Sequence, residues 1–61
     1  MLDYRLYVLN QSGHVVDAAV LHCPDDREAI DLAIQAAVAS DVELWLGDRK
    51  IKYIQRRRQE A

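Results

Sequence analysis

The chain is poor in the residues that brace small proteins. Of its 61 residues only Cys23 is a cysteine, so no internal disulfide forms. A lone thiol fits a reducing compartment. Phenylalanine is absent, and there are one proline, one methionine, one tryptophan and two glycines. Gly13 and Gly47 are too few and too far apart for a glycine-rich phosphate loop. No CxxC or HxxxH spacing accompanies Cys23, His14 or His22, which argues against a zinc site. No run approaches the ~20 apolar residues of a membrane span. The start MLDYRLYVLN lacks the basic residues and apolar block of a signal peptide. The expectation is a cytoplasmic chain without membrane contact.

What remains is a small apolar domain. The hydrophobic share is 51%, enough for a packed core. In a chain this short such a core rarely supplies more than ~3–5 kcal/mol. With disulfide and metal both disfavoured, oligomerisation is the remaining route to stability, and a homodimer is its simplest form.

Charge is unevenly spread. Residues 1–48 set Arg5 and Arg27 against seven Asp and two Glu, a net of −7. Residues 49–61 set six basic residues against Glu60, a net of +5, so the whole chain carries −2. Such separation suits an anionic partner or a second copy of the chain.

Alternation and punctuation give the elements. YRLYVL at 4–9 reads as a strand, NQSGH at 10–14 as a turn, and VVDAAVLH at 15–22 as the returning strand. Pro24 stops that strand. Asp25 is an N-cap with Glu28 three residues on, an acidic variant of the capping box. Ile30, Ala33, Ile34, Ala37 and Val38 then recur at helical spacing, which predicts a helix from Asp26 to Ala39. VELWL at 42–46 and RKIKYIQ at 49–55 read as strands joined by a tight turn at Gly47-Asp48. The order is β-β-α-β-β, an α+β two-layer sandwich in which one helix covers one face of a four-stranded, mainly antiparallel sheet. Keeping the crossover right-handed places the first and third strands side by side, in the order 2-1-3-4. One domain spans residues 1–55, with a basic C-terminal tail at 56–61.

Period-two alternation sorts the strands into two faces. Tyr4, Leu6, Val8, Ala19, Leu21, Cys23, Val42, Leu44, Leu46, Ile51 and Tyr53 form the more apolar set, assigned to the helix side. The other set, with Arg5, Val16, Ala18, His22, Glu43, Lys50 and Lys52, mixes charges with the apolar Tyr7, Leu9, Val20, Trp45 and Ile54. No second helix exists to cover it, so these five form the expected interface patch.

The chemistry-bearing residues are sparse. Arg49, Lys50, Lys52, Arg56, Arg57 and Arg58 form a candidate anion-binding set for phosphates, with Trp45 and Tyr53 near for stacking. The acidic body opposes a polyanion, and lysines on an edge strand also serve to block edge pairing. Nucleic acid is therefore disfavoured. His22 and Cys23 are adjacent on a strand and point to opposite faces. Asp25 and Asp26 have a capping role and oppose formation of a thiolate at Cys23. The sequence yields no catalytic set, no metal site and no cofactor.

The strings YRLYVLNQSGHVV, HCPDDREAIDLA and ELWLGDRKI resemble a family of small uncharacterised bacterial proteins. The shared pattern is YRLY, a Gly turn, a C-x-D-D-x-E-A helix start and ELW-x-G-x-R, across about residues 4–51. The resemblance implies the ββαββ layout and no catalytic residues, and the RRRQEA tail departs from it. The expected function is a non-enzymatic interaction domain that self-associates through its open sheet face. The alternative is binding of nucleic acid or another anionic partner through the basic end.

Overall fold

The computed structural model describes residues 1–56. Strands β1 (Leu2–Leu9) and β2 (Val15–Cys23) precede helix α1 (Asp26–Ala36), and β3 (Asp41–Leu46) and β4 (Arg49–Ile54) follow it. The four strands make one antiparallel sheet in the order β2-β1-β3-β4. The fold is α+β, with a single helix over one face of the sheet.

The two turns use the glycines where a positive φ is needed. Gly47 has φ +62 and Asp48 does not share the left-handed region, as in a turn that opens with Gly. At the first turn Gly13 has φ +84, and its N–H donates to the Asn10 carbonyl at 3.0 Å. The Asn10 side-chain oxygen also accepts from the N–H groups of Ser12 and His14, at 2.9 and 3.0 Å. This local bonding is what favours asparagine at a turn.

Asp25 caps the helix in an extended conformation and accepts from the Glu28 N–H at 3.0 Å. Asp26 and Glu28 lie in the first turn, where the helix dipole favours negative charge. The helix ends at Ala36, three residues before the predicted Ala39. Only four residues then separate it from β3, so the chain must leave the helical path early to reach the sheet.

The buried line of α1 is Ala29 and Ala33, continued by Ala37 at the C-cap, each fully covered, with Ile30 and Ile34 partly buried beside it. Val38, expected on that stripe, is exposed, because it lies past the helix end. Three alanines in line let the helix backbone approach the sheet closely. Opposite them are Tyr4, Leu6, Cys23, Val42, Leu44 and Ile54. Burial of such side chains stabilises by ~1.5–3 kcal/mol apiece for the larger ones.

Two bulges alter the faces read from alternation. On β4 the pairs are Trp45–Lys50 and Leu44–Lys52, so Ile51 is an extra residue. One extra residue reverses the parity of everything after it. Ile54, expected on the open face, is therefore opposite Val42 and buried in the core. Tyr53, expected inside, is opposite Glu43 and exposed. On β2 the extra residue is Val16, between the pairs Val8–Asp17 and Leu9–Val15. Ala19 lies on the helix side as expected, opposite the buried Leu6, yet it is exposed along with every residue from Val15 to Val20. The short helix does not reach that end of the edge strand.

Candidate interaction surface

Pairing register lays out the uncovered face in rows. Val20, Arg5, Trp45 and Lys50 form one row, and Ala18, Tyr7, Glu43 and Tyr53 the next. Tyr7 and Trp45 sit diagonally across β1 and β3, with ring centroids 6.4 Å apart and an interplanar angle of 80°. This edge-to-face arrangement is the one aromatic quadrupoles favour. Trp45 Nε1 donates to Glu43 Oε1 at 3.0 Å, and Lys50 Nζ lies 3.8 Å from Glu43 Oε2. Glu43 thus fixes the indole from one side and holds a lysine on the other.

Of the five residues expected to form the interface, the structure brings three together on this face. Tyr7 and Trp45 are half-buried, and Val20 is 50% exposed beside them. Ile54 is removed by the bulge described above. Leu9 is buried at the sheet's end, where it lines a cleft of about 520 Å³ with Asn10, Gln11, Ala39, Ser40, Asp41 and Arg56. Alternation placed Leu9 correctly on the strand but carried no information about the loops that close over it. Sequence reasoning missed Tyr53, which the Ile51 bulge carries to this face, whereas Val16, expected on the open face though outside the patch, is 60% exposed.

Two side chains of the basic set, Arg49 and Lys50, face carboxylates of the same chain. Arg49 Nη2 lies 3.7 Å from Asp26 Oδ2, and Lys50 is paired with Glu43 as above. The Arg56 N–H donates to Asp41 Oδ1 at 2.7 Å, while Tyr53 donates its hydroxyl to Asp41 Oδ2 at 2.6 Å. These two bonds hold the Asp41 carboxyl below the usual range, and the Tyr53 hydroxyl is pushed up in return. Arg57 and Arg58 lie outside the described residues.

Elsewhere the titratable groups serve the fold. Tyr4 is fully buried and donates its hydroxyl to Asp26 Oδ1 at the helix start. Burial first, then that bond and the Asp26 charge, push its pKa up to about 12. Cys23 is also buried, and burial together with Glu28 and Asp25 raises its pKa, which keeps the thiol protonated. His22 points the other way, to solvent, with Nδ1 2.7 Å from Asp3 Oδ1. Among the described residues no group of three or more His, Cys, Asp or Glu is placed to hold a metal. Every buried side-chain polar atom among them has a hydrogen-bond partner. No helix among them is long and apolar enough to cross a membrane.

The uncovered face is thus an aromatic pair ringed by Arg5, Glu43 and Lys50, with exposed valines on the strand beside it. Compared with protein-family models, with curated proteins and with solved structures, the chain finds no match.

Proposed function

We propose that the chain is a non-enzymatic cytoplasmic interaction domain that self-associates through its open sheet face, with Tyr7, Trp45 and Val20 as its centre. The carrying observation is the Tyr7–Trp45 pair, left half-covered on the face opposite the helix. Aromatic anchors ringed by polar groups are the composition of interface centres. Arg5, Glu43 and Lys50 supply both signs of charge around it, which lets the same face meet itself about a two-fold axis.

Stability argues the same way. Among the described residues only Tyr4, Leu44, Val42 and Cys23 are large side chains with essentially no exposure. A core of that size benefits from surface buried against a second copy. The basic end is the weaker candidate, because Arg49 and Lys50 each face a carboxylate of the same chain.

Light scattering coupled to size exclusion, over a dilution series at low and high salt, tests the reading. Expected is an oligomer that persists at high salt, since the contact is largely apolar. Trp45→Ala should weaken it by roughly 2 kcal/mol, about thirtyfold in Kd. A species that dissolves with salt would instead assign the contact to the acidic body and basic end. A Trp45→Ala variant that associates as tightly as wild type would remove the anchor.

A further inference from the structure

We propose that β2 pairs antiparallel with the β2 of a second copy, centred on Ala18, and so extends the sheet to eight strands. The inference goes beyond the face contact above and stands on a different observation, the unequal chemistry of the two sheet edges.

The edge strand β4 is protected. It carries Arg49, Lys50 and Lys52 and is bent by the Ile51 bulge, devices that discourage a further strand. The other edge also has a bulge, at Val16, but almost no charge. Residues 15–21 of β2 hold one charge, Asp17, and Val15, Val16 and Val20 are each at least half exposed.

The phase of the hydrogen bonding shows which groups β2 offers. A two-residue turn at Gly47-Asp48 makes Leu46–Arg49 the closing hydrogen-bonded pair of its hairpin. Bonded and non-bonded pairs then alternate across the sheet. Glu43 and Trp45 bond to β1 through Tyr7 and Arg5, and Asp17, Ala19 and Leu21 bond to β1 through Val8, Leu6 and Tyr4. The backbone groups of Ala18 and Val20 are left pointing off the edge. Independent support comes from Ala18, whose N–H donates to the side-chain Oδ1 of Asp17 at 2.8 Å. That donor is outward and held by the adjacent carboxylate.

Charge selects the occupant and the register. A β4–β4 contact would set basic residues against basic residues, and a β2–β4 contact is head-to-tail and open-ended. A β2–β2 contact is closed. Centred on Asp17 it would oppose two carboxylates. Centred on Ala19 it would set Asp17 against Leu21. Centred on Ala18 it sets Asp17 against the small Ala19 and Val16 against Val20, a β-branched cross-strand pair of the stabilising kind. Paired residues then share parity, so both helices stay on one side and both open faces on the other. The Val16 bulge ends the pairing. The Asp17–Ala18 bond competes with it and keeps it reversible.

Cross-linking reads the seam directly. Facing residues in a hydrogen-bonded pair have Cα atoms about 5.5 Å apart, within disulfide reach. Ala18→Cys should therefore form a covalent dimer under mild oxidation, at concentrations where Ala36→Cys, exposed on α1, stays monomeric. Equal rates for the two variants would overturn the proposal. Asp17→Ala should tighten the dimer about tenfold by removing the competing acceptor. Ala18→Pro removes only an outward donor, so it should keep the fold and lose the pairing. An Asp17→Ala variant with weaker association, or a folded Ala18→Pro in which Asp17→Cys of one copy still cross-links to Ala19→Cys of another, would also overturn it. If Ala18→Pro does not fold, the Ala18→Cys rate decides. Loss of the face contact is separable: Trp45→Ala should leave the Ala18→Cys cross-link intact. A salt-resistant oligomer without that cross-link would refute the edge while retaining the face.

Discussion

Leu44→Ala is the most direct test of how little holds this fold together. Leu44 is fully buried on β3 under α1, and it pairs with Leu6 on the neighbouring strand. Truncating such a leucine removes its transfer free energy and leaves a cavity, typically ~2–5 kcal/mol in all. The alanine line at Ala29, Ala33 and Ala37 offers no long side chain to collapse into the space. A loss of about 3 kcal/mol approaches the ~3–5 kcal/mol that a core this small supplies. The melting temperature should fall by roughly 12–24 °C, at ~4–8 °C per kcal/mol for a domain of this size. Urea unfolding followed by Trp45 fluorescence measures the loss, since the indole lies on the opposite face of β3 and does not touch the cavity. Repeating the curve at tenfold dilution adds a second readout. If association contributes stability, the midpoint of the variant falls further on dilution. A loss below about 1 kcal/mol with a concentration-independent midpoint would refute both the packing account and the need for a partner.

Two further outcomes concern Tyr4 and Gly47. The Tyr4 pKa is raised from 10.0 to about 12, so its contribution to stability is complete below the unfolded value. It is lost as pH rises from there toward about 12. Tyr4→Phe should reduce the alkaline loss to the part that Cys23 and Tyr53 carry, read by fluorescence alongside tyrosinate absorbance; a variant with the same alkaline limb would assign it to those groups. Gly47→Ala should destabilise by about 1 kcal/mol with an unchanged circular-dichroism spectrum. Nothing lies within 4 Å of the added Cβ, so the penalty comes from φ +62 alone, and a much larger loss in urea midpoint would contradict that.

The order of elements was legible because each boundary had a local cause. Asp25 caps, Pro24 interrupts, and Gly13 and Gly47 take conformations that other residues resist. The order β2-β1-β3-β4 followed from the handedness of one crossover. The faces were less legible. Alternation is a parity argument, and a single extra residue at Ile51 moved Ile54 inside and Tyr53 out. Nothing in RKIKYI announces that bulge, because Ile51 packs against the core on either reading. Leu9 was lost to the patch for a different reason, the closure of the loop at Ala39 and Ser40 around it. Tyr7 and Trp45 stayed where alternation put them, since β1 and β3 pair without interruption from Tyr4 to Leu9.

That unbroken seam between β1 and β3 has a consequence for the path to the native state. Each hairpin joins strands that are neighbours in the chain, whereas Tyr4 must find Leu46 across the intervening β2 and α1. The loop entropy of that closure is spent before the core exists to offset it, which makes it the slow step. The two halves of the molecule are thus a pair of hairpins that find register late. Until they do, both the Tyr4 side of β1 and the Leu44 side of β3 are open to other chains.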